Sequence, residues 1–182
     1  MNEIAQNFYE LLNSKNGVSS KFELLGESSK EQLCALLIEH GLAGSVYVNG
    51  RDILADDLLS RLKPTWQKQR QRNLLQYEEL KNLSLALEAS GIRPIILKGM
   101  ALIGSVYTDL GERNMSDIDL LVGTENIDKM LEIVEEGGFL PVATGQWWGN
   151  SFKWEFQKST AAGDVVLELH SNLFYGTNKN WW

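Results

Sequence analysis

The sequence is poor in the residues that build disulfide and zinc scaffolds. It has one cysteine, Cys34, and two histidines among 182 residues, so no intrachain disulfide and no four-ligand Cys/His zinc cluster can form. A lone cysteine suits a reducing compartment, and we expect the protein to be cytoplasmic. Only 3 prolines and 43% hydrophobic residues exclude the collagen-like and disordered classes.

Long apolar runs and an excess of basic side chains are also missing. The longest apolar passage, residues 92–104, is interrupted by Arg93, Pro94 and Lys98, which makes it too short and too polar to span a membrane. The first six residues lack the basic and apolar regions of a signal peptide. Seventeen basic against 24 acidic side chains give a net charge of −7, which argues against broad DNA binding.

The pattern of apolar residues divides the chain into a helical region, residues 1–90, and an α/β core, residues 91–182. Helical spacing and end signals predict helices around residues 4–12, 28–40, 53–62, 65–90, 100–107 and 125–136. We expect Ser28 to open the second helix with a capping box and Pro64 to open the fourth. A buried strand is predicted at 93–97, and further strands at 116–122, 139–142, 152–156 and 165–170.

The segment 117–122, Asp-Ile-Asp-Leu-Leu-Val, carries the strongest chemical signal. Because side chains alternate along a strand, Asp117 and Asp119 point to one face while the apolar residues between them point to the other. Two such carboxylates repel each other unless a cation lies between them, and Mg²⁺ prefers carboxylate oxygens. The alternative is a strand end whose aspartates are both in water.

Two further segments carry polar groups that could join these aspartates. Lys98 and Gly99 lie between a predicted strand and a predicted helix, where free backbone amides favour phosphate, although the turn could be a simple connection. In the segment 165–170, Glu168 and His170 share one face. If this strand lies beside the first, Glu168 supplies a third carboxylate, and the set suits metal-assisted phosphoryl or nucleotidyl transfer. His170 could instead be a histidine bonded near the sheet edge.

In their order along the chain, these motifs resemble the nucleotidyltransferase superfamily typified by DNA polymerase beta. Lys98-Gly99, then Arg113 before Asp117-Ile-Asp119, then Glu168-Leu-His170 are similar in particular to the uncharacterised nucleotidyltransferase family. The resemblance covers about residues 92–170. Met100 stands where many superfamily members have glycine or serine.

The resemblance implies an α+β fold, with a mixed β-sheet packed with helices after an N-terminal helical region. It implies that a nucleoside triphosphate, with Mg²⁺ or Mn²⁺, gives its nucleotidyl group to an acceptor. Asp117, Asp119 and Glu168 would be the catalytic, metal-binding carboxylates, and the nucleotide would be bound by the following residues: Lys98, Gly99, Arg113, Ser116 and His170. Arg113 could instead pair with a nearby acid. The acceptor could be a small molecule, a peptide or an RNA end.

Two other features of the sequence are typical of regions that contact a partner. The segment 61–72 holds five basic residues and no acidic one, which predicts a solvated helix face or a phosphate or RNA contact. Five of the six tryptophans follow residue 146, and we expect a protein partner or a C-terminal segment beyond residue 182 to cover them, as in a piece of a longer protein. The alternative function is a catalytically weak or inactive binding or regulatory module of the same fold, antitoxin-like or accessory to a pathway.

Overall fold

The computed structural model describes residues 22–148 and 151–171, without the side chains of 143–148 and 151–152. The predicted helix around residues 4–12 lies outside this range. The described chain forms two compact units that interleave along the sequence. Unit 1 contains the described residues up to 73 together with 106–114, and unit 2 contains 74–105 and the residues from 115 onward. Within the described segments, no helix is both long and apolar enough to cross a membrane.

The chain forms an α+β fold with a mixed sheet, as expected. The helices are α1 (Glu27–Glu39), α2 (Ala43–Gly50), α3 (Asp56–Ala89), α4 (Lys98–Leu102) and α5 (Ile127–Glu136), the last preceded by a 3₁₀ turn at Thr124–Asn126. The strands are β1 (Ile95–Ile96), β2 (Ile118–Leu121), β3 (Leu140–Trp148), β4 (Ser151–Thr160) and β5 (Gly163–His170). Helix α3 starts in unit 1 and ends in unit 2.

Helix α1 starts earlier than the sequence predicts. Its N-cap is Gly26, which has no side chain to accept a backbone hydrogen bond, so the predicted capping box at Ser28 is wrong. Because Ser28 lies inside the first turn, its hydroxyl accepts a bond from Gln32 Nε2 instead. The end is as predicted, with His40 at the C-cap and Gly41 at a φ of 69°, a value that favours glycine.

The prediction that Pro64 opens a separate helix is also wrong. Helix α3 runs through Pro64 as one 34-residue helix. The φ of a proline residue is compatible with an α-helix. Proline inside a helix is unfavourable because it removes one backbone hydrogen bond and because its ring clashes with the preceding turn. The apolar residues on both sides continue the helix: Leu58 and Leu62 before Pro64 and Leu80 after it are all buried.

We expect Pro64→Ala to stabilise the protein. Pro64 is exposed inside a helix, where proline is less favourable than alanine by up to about 3 kcal/mol. The free energy of unfolding should therefore rise by about 1–3 kcal/mol in urea titrations. Gln67→Ala, at an exposed position one turn further along, should change it by less than about 0.5 kcal/mol. Equal or lower stability of Pro64→Ala would show that the fold depends on the proline.

Unit 1 includes the segment 106–114, which contacts helix α2 and the part of helix α3 that belongs to the same unit. Asn49 Nδ2 donates to Glu112 Oε1 at 2.9 Å, and Trp66 Nε1 donates to Asp109 Oδ1 at 2.9 Å. The buried Glu112 also accepts bonds from the backbone amides of residues 108 and 109. Since these bonds satisfy the buried carboxylate, the segment is held tightly in place.

The sheet of unit 2 has the strand order β1-β2-β5-β4-β3. Strands β2 and β5 are parallel, and the other neighbours are antiparallel. The predicted buried strand at 93–97 is shorter than expected and is not buried, since Ile95 is 61% exposed. The reason is its position at the sheet edge, where it pairs with β2.

One face of this sheet is apolar. Ile118, Leu120, Leu167 and Leu169 are fully buried in a core that also contains Leu80, Leu83 and Leu87 of α3 and Met130 and Val134 of α5. Helix α3 therefore faces the sheet with Leu80, Leu83 and Leu87, whereas Tyr77 is exposed. Because side chains alternate, the polar residues of β2 and β5 are directed to the opposite face.

Candidate functional site

The parallel pairing of β2 and β5 sets two acidic residues side by side. Asp119 lies opposite Glu168 in the register, and Leu121 lies opposite His170. Residues opposite each other on neighbouring strands point to the same face. Asp119 is only 2% exposed and Glu168 only 8%, which is unusual for carboxylates and requires compensating partners.

Those partners are an ammonium and an imidazole. Lys98 Nζ lies 2.5 Å from Asp119 Oδ1 and 3.5 Å from Glu168 Oε2. His170 Nε2 lies 3.0 Å from the same Asp119 oxygen and 3.5 Å from the same Glu168 oxygen. Since a carboxylate oxygen only accepts, His170 Nε2 carries the proton of that bond. Both groups thus approach the same pair of oxygens.

The cluster shifts the pKa values of its members. Burial alone would raise the pKa of the Asp119 carboxyl, but hydrogen bonds from His170 and Lys98 outweigh burial and hold it below its usual value. Burial likewise opposes the charge of Lys98, but the bond to Asp119 and the nearby acids raise the pKa of its ammonium. Both groups are therefore charged at neutral pH.

The position of Lys98 depends on its backbone. Its φ of 49° lies in the left-handed region, and among the described residues other than glycine it has the only positive φ. Such a conformation is strained and persists only where its surroundings enforce it. The amide of Leu97 donates to the carbonyl of Asp119 at 2.9 Å, which fixes the turn directly beside this aspartate. Gly99 is buried behind it, at the start of the five-residue α4.

Asp119, Glu168 and His170 have the geometry of a metal-binding group. One ligand atom from each lies within 4.8 Å of the other two. Carboxylate oxygens suit Mg²⁺ and Mn²⁺, and an imidazole adds a nitrogen ligand through a ring nitrogen that carries no proton. The ammonium of Lys98 lies where a small cation would contact both carboxylates. The donor set therefore fits a divalent ion.

Asp117 and Ser116 lie beside this group, just before β2 begins. Ser116 Oγ donates to Asp117 Oδ1 at 2.9 Å. Asp117 is half-buried and contributes to the charge around Lys98. It is not among the three residues whose ligand atoms converge.

Lys153 is a member of the cluster that the sequence did not indicate. It lies on β4 opposite His170, and its Nζ donates a hydrogen bond to Glu168 Oε1. Lys98 and Lys153 thus contact different oxygens of Glu168. A lysine on a strand has no signal of its own, so only the strand pairing identifies it.

One comparison with known proteins identifies a family for this chain. The family model described as "Uncharacterised nucleotidyltransferase" matches residues 26–181. The chain belongs to the uncharacterised nucleotidyltransferase family. The match confirms the resemblance seen in the sequence and extends it to the helices of unit 1. None of the curated proteins matches the chain.

Arg113 of this nucleotidyltransferase-family protein belongs to unit 1. Its guanidinium donates to Tyr107 Oη at 3.4 Å and lies 5.9 Å from the centre of the Tyr107 ring. Its role in nucleotide binding, like the roles of the other site residues, stays a prediction.

The basic segment 61–72 is partly neutralised by residues outside it. Arg61 pairs with Asp57 at 2.7 Å and with Glu27 at 2.6 Å, and Arg72 donates to Asn114. Lys63, Lys68 and Arg70 are exposed. The described contacts fit a solvated helix face, and contact with phosphate or RNA stays a prediction.

Proposed function

We propose that this protein is a divalent-metal-dependent nucleotidyltransferase that uses Asp119 and Glu168 to bind the metal. The observation that carries the proposal is the pairing of these two buried carboxylates on adjacent parallel strands, with a cationic group between them. Membership of a nucleotidyltransferase family supports a nucleotide as substrate. Asp117, which contributes to the charge around Lys98, is proposed as the third carboxylate.

In the proposed reaction, a nucleophilic oxygen or nitrogen of the acceptor attacks the α-phosphorus of a nucleoside triphosphate. A bond forms between the acceptor and that phosphorus, the bond to the β-phosphate oxygen breaks, and pyrophosphate leaves. A bound Mg²⁺ or Mn²⁺ would supply charge stabilisation for the phosphate oxygens. The proton of the nucleophile passes to a carboxylate of the site as the new bond forms.

Individual side chains have separate roles in this proposal. Asp119 and Glu168 hold the cation, and His170 fixes the orientation of Asp119 through its Nε2 proton. Lys98 and the turn at Gly99 would meet the negative charge of the phosphates, since an ammonium is a common phosphate partner. Arg113 and Ser116 are further proposed nucleotide contacts.

A second candidate is a binding or regulatory module that keeps the fold without turnover. One observation favours it: Lys98 and Lys153 already neutralise the two carboxylates, so the cluster is satisfied without a metal. In this case the protein would bind nucleotide or a partner but would transfer nothing.

One experiment separates the two candidates. The protein is incubated with each nucleoside triphosphate labelled at the α-phosphate, with Mg²⁺ or Mn²⁺, and label transfer to protein, RNA and small-molecule pools is measured. Metal-dependent transfer supports the enzyme. Nucleotide binding without transfer in any pool, by a protein shown to be folded, would favour the module.

A further inference from the structure

The ammonium of Lys98 occupies the space between the two buried carboxylates. Its Nζ contacts Asp119 Oδ1 at 2.5 Å and lies 3.5 Å from Glu168 Oε2. These are the oxygens that, in the proposed function, would bind a divalent ion. A metal ion at 2.0–2.6 Å from the same oxygens leaves no room for the ammonium.

The Lys98 side chain can leave this position without disturbing the core. It is 55% exposed, whereas Asp119 is almost completely buried. Its backbone is strained, so the turn directs the ammonium to the carboxylates at some conformational cost. Since Lys98 is not part of the hydrophobic core of the sheet, withdrawal of its side chain breaks the ion pair and leaves that core in place.

Lys153 differs from Lys98 in a way that makes it a control. It contacts Glu168 Oε1, the oxygen that is directed away from Lys98, and it comes from β4. Both lysines carry one positive charge in the same cluster. Of the two lysines, only Lys98 lies close to oxygens of both carboxylates.

We propose that Lys98 competes with the metal for Asp119 and Glu168 and is expelled when the metal binds. The expelled ammonium is then free to bind the triphosphate. One lysine thus excludes metal from the empty site and binds nucleotide in the occupied one. This inference rests on the proposed function, because it requires the metal site assigned there.

The test measures the affinity for Mn²⁺ alone, by electron paramagnetic resonance of the free ion, in the full chain. Lys98→Met should bind Mn²⁺ roughly ten- to a hundredfold more tightly, since the charge-assisted bond no longer competes. The same variant should bind a non-hydrolysable nucleoside triphosphate more weakly. Opposite changes in the two affinities are the signature of one group that serves both ligands.

Two further variants control for charge and for folding. Lys153→Met removes a charge from the same cluster but leaves Lys98 in place, so its gain in Mn²⁺ affinity should be about tenfold smaller than that of Lys98→Met. Lys98→Asn should reproduce the Lys98→Met result, because asparagine tolerates a positive φ and keeps the turn.

Each outcome bears on a different statement. Equal Mn²⁺ affinity in wild type and both Lys98 variants would overturn the competition while leaving the metal site in place. Equal gains in Lys98→Met and Lys153→Met would also overturn it, since charge alone would then explain the effect. Absence of Mn²⁺ binding in every variant would overturn the proposed metal site and the competition together.

Discussion

Asp119→Asn is expected to reduce nucleotidyl transfer by at least about a thousandfold while the protein stays folded. In the proposed function Asp119 is the central ligand, and loss of metal stabilisation worth several kcal/mol corresponds to a factor of this size. Asparagine has nearly the same shape, and its oxygen can still accept bonds from Lys98 and His170. The measurement is the rate of label transfer under the conditions that give the highest wild-type activity.

The matched control for this variant is Asp128→Asn. It makes the same chemical change at an exposed position in the first turn of α5. Its transfer rate should stay within about twofold of wild type. A folded Asp119→Asn protein with wild-type activity would contradict the assignment of the site, whatever the reaction proves to be.

Gly44→Ala is expected to destabilise the protein by about 3 kcal/mol or more. A Cβ at this position would clash with the carbonyl oxygen of Gly111 and with Gln69 Oε1. Alanine favours the helical state of α2 by about 1 kcal/mol relative to glycine, which offsets only part of the clash. The backbone oxygen of Gly111 cannot move aside as a flexible side chain could, and Trp66 packs closely against Gly111 itself.

Urea unfolding and hydrogen exchange of the α2 amides measure this effect. The control is Gly26→Ala, since a Cβ at Gly26 meets nothing within 4 Å and its φ is −65°. That variant should change the free energy of unfolding by less than about 1 kcal/mol. Similar stability of the two variants would mean that α2 does not approach Gly111 as closely as the structure shows.

The acidic pair of the site could be predicted because strand alternation is a local property. Alternation along the strand predicts that Glu168 and His170 share one face. It predicts a cluster with Asp119 only if the two strands are neighbours in the sheet. The parallel register of β2 and β5 fulfils that condition. The lysine that lies between Asp119 and Glu168 could not be predicted in this way, because strand alternation says nothing about the direction of a side chain in the preceding turn.

The other features of the site and the fold could not be predicted because they depend on tertiary structure. Lys153 joins the cluster through the pairing of β4 with β5, and no spacing in the sequence encodes that pairing. The direction of the Lys98 side chain follows from a left-handed φ, which a lysine rarely adopts. The prediction of a helix start at Pro64 is wrong because buried residues on both sides of the proline continue one helix through it, and this packing is not a local signal.

The interleaving of the two units has a consequence for synthesis of the protein. Domains commonly fold in the order in which they leave the ribosome. Here the N-terminal unit needs residues 106–114, which are translated only after residues 74–105 of the other unit. A nascent chain that ends before this segment therefore lacks the partners of Asn49 and Trp66. The unit whose synthesis begins first therefore cannot be finished until residues 74–105 of the other unit have emerged.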